Sequence, residues 1–143
     1  MILVDANLLL YAYDRTSNRH ERARAWFEGV MNGEEDVRFG LATLLAFLRI
    51  ATNPAVFRRP LRPSRAVEIV ASWLGRPNVT IASPSDRHWR ILAEVAAAGQ
   101  ARAALMMDAH LAALAAEHGA TLVTTDRDFA RFPGLRFLDP LGP

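Results

Sequence analysis

Three aspartates occupy positions at which a carboxylate needs a partner. Asp108 lies in a helical stripe of apolar residues, with Leu105 three positions before it and Leu111 three positions after it. A buried carboxylate without compensation costs several kcal/mol, so a cation is expected beside it. Asp5 and Asp126 each follow a short apolar or β-branched run, where a buried strand would end. If those two strands are neighbours, the three carboxylates meet.

Converging carboxylates raise each other's pKa unless a cation neutralises them. The chain has no cysteine, which excludes zinc–thiolate sites and thiol nucleophiles and leaves oxygen or histidine ligands. Hard oxygen ligands favour Mg²⁺ or Mn²⁺. Glycine-rich phosphate loops and a Ser-His-Asp order with an elbow sequence are absent from the sequence. Metal-assisted hydrolysis at Asp5, Asp108 and Asp126 is therefore the chemistry that we expect.

Each acid also has a purely structural interpretation. Asp5 is a possible N-cap for the helix that follows it, and Asp126 a possible cap for the turn into Arg127. Asp128 is more typical of a solvated acid in a first helical turn than of a ligand. For Asp108, which we place in the middle of a helix, the structural alternative is an arginine partner.

The hydrophobic pattern alternates short strands with longer helices. It predicts a helix that starts at a capping box of Asn18 and Glu21. The other elements are strands at 2–5, 37–39, 79–82, 121–125 and 136–138, and helices at 7–13, 41–52, 63–74, 85–98, 102–118 and 128–132. This alternation predicts an α/β fold, a three-layer α/β/α sandwich with a mostly parallel central sheet, in one domain over residues 1–143. Ligands bind such sheets at the carboxyl ends of the strands.

All 17 basic residues are arginines, and the net charge is +2. Arginine matches phosphate oxygens in pairs, although a compositional bias explains the same count. Four arginines lie between Arg58 and Arg65, either as a grip on nucleic-acid phosphates or as a solvated loop. The chain begins with a strand rather than a basic leader, and it has no run of about 18 apolar residues. We therefore expect a cytoplasmic protein without a membrane segment.

Four motifs occur along the chain in a specific order and spacing: Val4-Asp5-Ala6-Asn7, Phe47-Leu48-Arg49, Asp108-Ala109-His110 and Thr125-Asp126-Arg127-Asp128-Phe129. Together they resemble a PIN-domain ribonuclease, and in detail a VapC toxin of a bacterial toxin–antitoxin pair. The resemblance extends from Ile2 to Pro140.

The resemblance implies a PIN-like fold and an endoribonuclease that uses Mg²⁺ or Mn²⁺ to leave a 3′-hydroxyl and a 5′-phosphate. Asp5 and Asp108 would bind the metal, and Asp126 would position a second metal or the attacking water. Implied partners are RNA, an antitoxin of the VapB type and a second copy of the chain, with DNA reached only through the antitoxin. Apolar residues nearly encircle the helix around Leu45, which also suggests a partner surface.

One position departs from the family pattern, because Ala46 stands where PIN domains usually have a glutamate. One metal completed by RNA ligands, substitution by Asp128, or weak catalysis would each account for this. A PIN-fold RNA-binding or regulatory module without turnover is therefore the alternative function. Asn7 either orients water or phosphate or caps the first helix. We expect His20 to pack or cap, and His110 to point away from Asp108.

Overall fold

The computed structural model of the protein describes residues 1–142, which form five strands, six α-helices and one short 3-10 helix. The strands are β1 (Ile2–Val4), β2 (Val37–Gly40), β3 (Val79–Ala82), β4 (Thr121–Val123) and β5 (Phe137–Leu138). The α-helices are α1 (Ala6–Tyr13), α2 (His20–Met31), α3 (Leu41–Ala51), α4 (Pro63–Leu74), α5 (His88–Ala98) and α6 (Leu105–His118). The 3-10 helix is Arg127–Arg131.

The strands form one sheet in the order β3-β2-β1-β4-β5, and every neighbouring pair is parallel. In the middle of the sheet, Ile2 of β1 is in register with Val37 of β2 and with Thr121 of β4. Because β1 and β4 are neighbours, the residues that follow them lie at the same edge. The prediction of a mainly parallel α/β sheet is confirmed.

Apolar residues cover both faces of the sheet. Val4 belongs to one core cluster, in which Phe39, Phe47 and Trp73 pack with residues of α1 to α4. Leu3, whose side chain alternates to the opposite face, belongs to a second cluster with residues of α5 and α6. The sheet therefore lies between two helical layers, which is the predicted three-layer sandwich.

The aspartate-bearing helix begins later than its sequence pattern suggests. Gln100 and Ala103 adopt left-handed backbone conformations, with φ of 52° and 53°, so a regular helix cannot run through them. Helix α6 starts at Leu105, which puts Asp108 in its first turn rather than in its middle. The end was predicted correctly, since Gly119 (φ 64°) forms the left-handed C-cap.

Two other predictions about helix ends were wrong. Helix α5 begins at His88 rather than Ser85, because residues 85–87 form a turn in which the Arg87 amide donates to Ser85 Oγ (3.2 Å). The capping box does not form either. Helix α2 has Arg19 at its N-cap and no side-chain cap bond; the Arg19 amide donates to Ser17 Oγ (3.1 Å) instead.

No helix within residues 1–142 has the length and apolar content to cross a membrane.

Candidate active site

Asp5 joins the end of β1 to the start of α1. It is the N-cap of α1, and its Oδ1 accepts the Ala6 amide at 2.7 Å. Its Oδ2 accepts the Thr124 hydroxyl, also at 2.7 Å. Burial raises the pKa of Asp5, although both hydrogen bonds oppose this effect. The capping interpretation is therefore correct, but it uses only one carboxylate oxygen.

Thr124 forms hydrogen bonds with three residues of the site, and the sequence did not identify it. Its side chain is 1% exposed. Besides donating to Asp5, its Oγ1 accepts the Asn7 side-chain amide (3.3 Å) and the Asp126 backbone amide (3.0 Å). The available signal was a hydroxyl residue two positions before Asp126, directly after a buried strand. Thr124 fixes the relative positions of the residues after β1 and β4.

The amide orientation of Asn7 follows from these hydrogen bonds. Thr124 has one hydroxyl proton, which goes to Asp5, so it can only accept from Asn7. Asn7 must therefore turn its NH₂ group towards Thr124. Its Oδ1 is buried and has no protein partner within residues 1–142. An unsatisfied buried acceptor costs about 1–3 kcal/mol, so this position suits a hydrogen-bond donor.

Asp126 follows β4 and caps the 3-10 helix, since its Oδ1 accepts the Asp128 amide at 2.9 Å. The capping interpretation is correct here as well. The charge of Asp126 also raises the pKa of both Asp5 and Asp108. Asp128 is exposed, and its charge contributes to the raised pKa of Asp108. These acids are therefore close enough to repel one another.

Asp108 is half-buried in the first turn of α6. Its pKa is raised to about 6, first by burial and then by the charges of Asp126, Asp5 and Asp128. The charge of Arg131 lowers the pKa of Asp108. Asp108 forms no salt bridge within the described part of the chain. An arginine therefore lies near Asp108 without pairing with it.

The chemistry of this cluster suits a hard divalent cation. The pKa is raised for Asp5 and Asp108, the charge of Asp126 acts on both, and Asn7 adds an unsatisfied amide oxygen. Carboxylate and amide oxygens are the donor types that Mg²⁺ and Mn²⁺ prefer. Between residues 1 and 142, however, no three acidic or histidine side chains are grouped closely enough to hold an ion as they stand. Binding would require the carboxylates to turn, or water and substrate to complete the ligand set.

The two predicted histidine roles agree with the structure. His20 Nδ1 lies 2.9 Å from the Tyr11 carbonyl oxygen, which is a packing role. His110 faces away from the acids, with its Nδ1 2.9 Å from His88 Nε2. The Nδ1 of His88 in turn lies 2.5 Å from Glu117 Oε2.

The arginines between Arg58 and Arg65 are exposed, and Ala46 is half-buried on α3.

The PIN-domain family model matches residues 2–135. This range includes strands β1 to β4 and the four acids Asp5, Asp108, Asp126 and Asp128. The chain therefore belongs to the PIN-domain family.

Curated relatives define the group within that class. The chain is 44% identical to Ribonuclease VapC37 of Mycobacterium tuberculosis over 98% of its own length and 97% of that protein. It is 38% identical to Ribonuclease VapC33 of the same species, over 99% of each chain. The protein therefore belongs to the VapC ribonucleases, the PIN-domain toxins of toxin–antitoxin systems.

Solved structures show the same fold. A toxin–antitoxin complex from Klebsiella pneumoniae aligns with a TM-score of 0.68 and 18% identity, over 100% of both chains. Other structural neighbours include VapBC and FitAB complexes, some of which are bound to DNA.

Proposed function

We propose that the protein hydrolyses RNA phosphodiester bonds at the edge of the sheet near Asp5, Asp108 and Asp126, with Mg²⁺ or Mn²⁺ as cofactor. One observation carries the proposal: burial and the charges of neighbouring acids raise the pKa of Asp5 and Asp108, yet neither forms a salt bridge within residues 1–142. Such a cluster is unfavourable in the empty protein and becomes favourable when a cation binds.

Each side chain has a definite task in this proposal. The three aspartates would hold the metal, which when bound activates water and offsets the charge on the phosphate oxygens. Thr124 keeps Asp5 in one orientation through its hydroxyl. Asn7 offers a buried acceptor oxygen to a hydroxyl group or a water molecule. Asp128, whose charge reaches Asp108, would stand in for the carboxylate that Ala46 lacks.

Cleavage of RNA by the purified protein tests this proposal. We expect cleavage with Mn²⁺, none with EDTA, and loss of activity in Asp5→Asn, Asp108→Asn and Asp126→Asn. Asp86→Asn is the matched control, because Asp86 is exposed and forms no side-chain hydrogen bond or salt bridge within residues 1–142. If the wild type were as inert as Asp108→Asn at every metal concentration, the enzyme proposal would be wrong. RNA binding without turnover would then favour the regulatory module, which the loss of the usual glutamate at Ala46 also suggests.

The partners of the protein are part of the same proposal, and an antitoxin of the VapB type is the first. A cavity of about 360 Å³ between α1, α2 and α4 is lined by Phe27, Met31 and Trp73 and bordered by Arg15 and Arg76. Glu28 also lines the cavity but pairs with Arg24 at 2.9 Å, so Arg15 and Arg76 leave the rim basic. An apolar floor with such a rim suits a partner segment with large apolar and acidic side chains. Co-purification with the protein encoded beside it, measured for wild type and for Arg15→Glu at the exposed rim, tests this assignment.

A homodimer stays a prediction. Leu41 and Leu45 are one helical turn apart on α3 and are 57% and 54% exposed, so a second copy would cover them. Light scattering of wild type and Leu45→Glu measures this directly. Neither partner requires the protein itself to contact DNA.

A further inference from the structure

Arg131 belongs to the same short 3-10 helix as Asp128, and elements on two sides hold it in place. It closes the 3-10 helix that Asp126 caps. The side chains of Phe129 and Phe132, on either side of Arg131 in the sequence, are 1% and 3% exposed. These two buried anchors fix the backbone at Arg131, so its side chain starts from a defined point a few residues from Asp126.

The guanidinium is anchored at its tip as well. Its Nη1 donates to the Gly99 carbonyl oxygen at 3.1 Å, and Gly99 is the C-cap of α5, just before the loop that leads to α6. Gly99 packs so tightly that an added Cβ would lie 2.5 Å from the Phe132 ring. One bond uses one of the five N–H groups of an arginine. The remaining donors form no salt bridge within residues 1–142, and the side chain is exposed.

The positive charge of Arg131 lies close to the acids of the site, because Arg131 ends the five-residue 3-10 helix that contains Asp128 and has Asp126 as its N-cap. Because no acid forms a salt bridge with Arg131 within residues 1–142, its guanidinium remains available to bind another anion. RNA brings such an anion to these carboxylates, which would otherwise repel it.

We propose that Arg131 binds the non-bridging oxygens of the phosphate that is being cut. The inference rests on the proposed ribonuclease function and adds a substrate-contacting residue to it. A guanidinium presents two parallel N–H groups that match two phosphate oxygens. Charge on those oxygens grows as the attacking oxygen bonds to phosphorus, so the contact strengthens in the transition state and acts mainly on kcat.

A purely structural role is the alternative, because an arginine that donates to the last carbonyl groups of a helix also stabilises that helix. The chain contains a matched control. Arg136 is equally exposed, and its Nη2 donates at 2.9 Å to the carbonyl oxygen of Gly119, the C-cap of α6. That bond lies at the end of α6 opposite Asp108. Arg136→Gln therefore removes the same kind of helix-capping bond without touching the site.

The experiment compares Arg131→Gln, Arg131→Lys and Arg136→Gln. A wild-type cleavage site is first mapped on total bacterial RNA with Mn²⁺, and a labelled synthetic oligoribonucleotide that spans it serves as the probe. We expect Arg131→Gln to lower kcat/KM about 100-fold, mostly through kcat. Arg131→Lys, which keeps the charge but not the fork, should lose about 10-fold. Arg136→Gln should stay within about twofold of the wild type, and melting curves identify any variant that does not fold.

Binding of the same probe gives a second readout that helix capping would not change. In the Asp108→Asn background, the salt dependence of affinity should fall by about 0.7 in slope for Arg131→Gln, which is one single-strand phosphate contact. It should be unchanged for Arg136→Gln. Equal kcat/KM and equal salt slopes for the two glutamine variants, with an active wild type, would overturn the inference and leave the proposed function intact. An inactive wild type would overturn both.

Discussion

Replacing Asp108 by asparagine should stabilise the metal-free protein and abolish its activity at the same time. The pKa of Asp108 is raised from 3.8 to about 6 in the folded state. Ionised Asp108 therefore destabilises the fold: the penalty is absent below about pH 3.8, grows between the two values, and is fully present above about pH 6. A shift of this size corresponds to about 3 kcal/mol. Because the side chain is only partly buried, solvent screening reduces the expected effect to about 1–2 kcal/mol.

Urea unfolding and thermal melting, both in EDTA, measure this effect. At pH 7.5 we expect Asp108→Asn to be about 1–2 kcal/mol more stable than the wild type, or about 3–6 °C higher in Tm for a domain of this size. At pH 4 the two proteins should be nearly equal. Added Mn²⁺ should raise the Tm of the wild type more than that of the variant, because the ion offsets the carboxylate repulsion. Asp86→Asn should show none of these differences. If Asp108→Asn were less stable than the wild type at pH 7.5 without metal, the repulsion that we assign to the acidic cluster would not exist.

Three further substitutions test the packing around the site. Gly99→Ala should destabilise the protein by about 2–3 kcal/mol in urea unfolding, because the new Cβ would lie 2.5 Å from the rigid ring of Phe132; wild-type stability would contradict this contact. Ala103→Gly should instead raise the free energy of unfolding by about 1 kcal/mol, because Ala103 has a φ of 53°, and a loss of stability would contradict the strain. Thr124→Val keeps the shape of a buried side chain but removes the donor to Asp5. Since that bond lowers the pKa of Asp5, the acid limb of the pH–rate profile should move to higher pH in this variant. An unchanged acid limb would show that Thr124 does not influence the active carboxylate.

The sequence by itself determined most of the elements and the positions of Asp5 and Asp126 at strand ends. The carboxylates of Asp5 and Asp126 follow apolar strands, and this local pattern depends only on the alternation of side chains along a strand. Their capping roles were also readable, because an aspartate before a helix bonds to backbone groups a few residues away. Local patterns of this kind fix most of the alternation of strands and helices.

The relations between those elements were decided only by the tertiary structure. Parallel pairing of β1 with β4 brings together acids that are more than a hundred residues apart, and no local pattern specifies that pairing. The start of α6, and with it the place of Asp108 in a first turn, depends on left-handed residues such as Ala103 that have no glycine signal. The positions of the Thr124 and Arg131 side chains depend on hydrogen bonds to residues that are distant in the sequence. Sequence periodicity reports which side of an element is buried, whereas the chemistry of this site arises from which elements meet, and that is set by the packing of the whole chain.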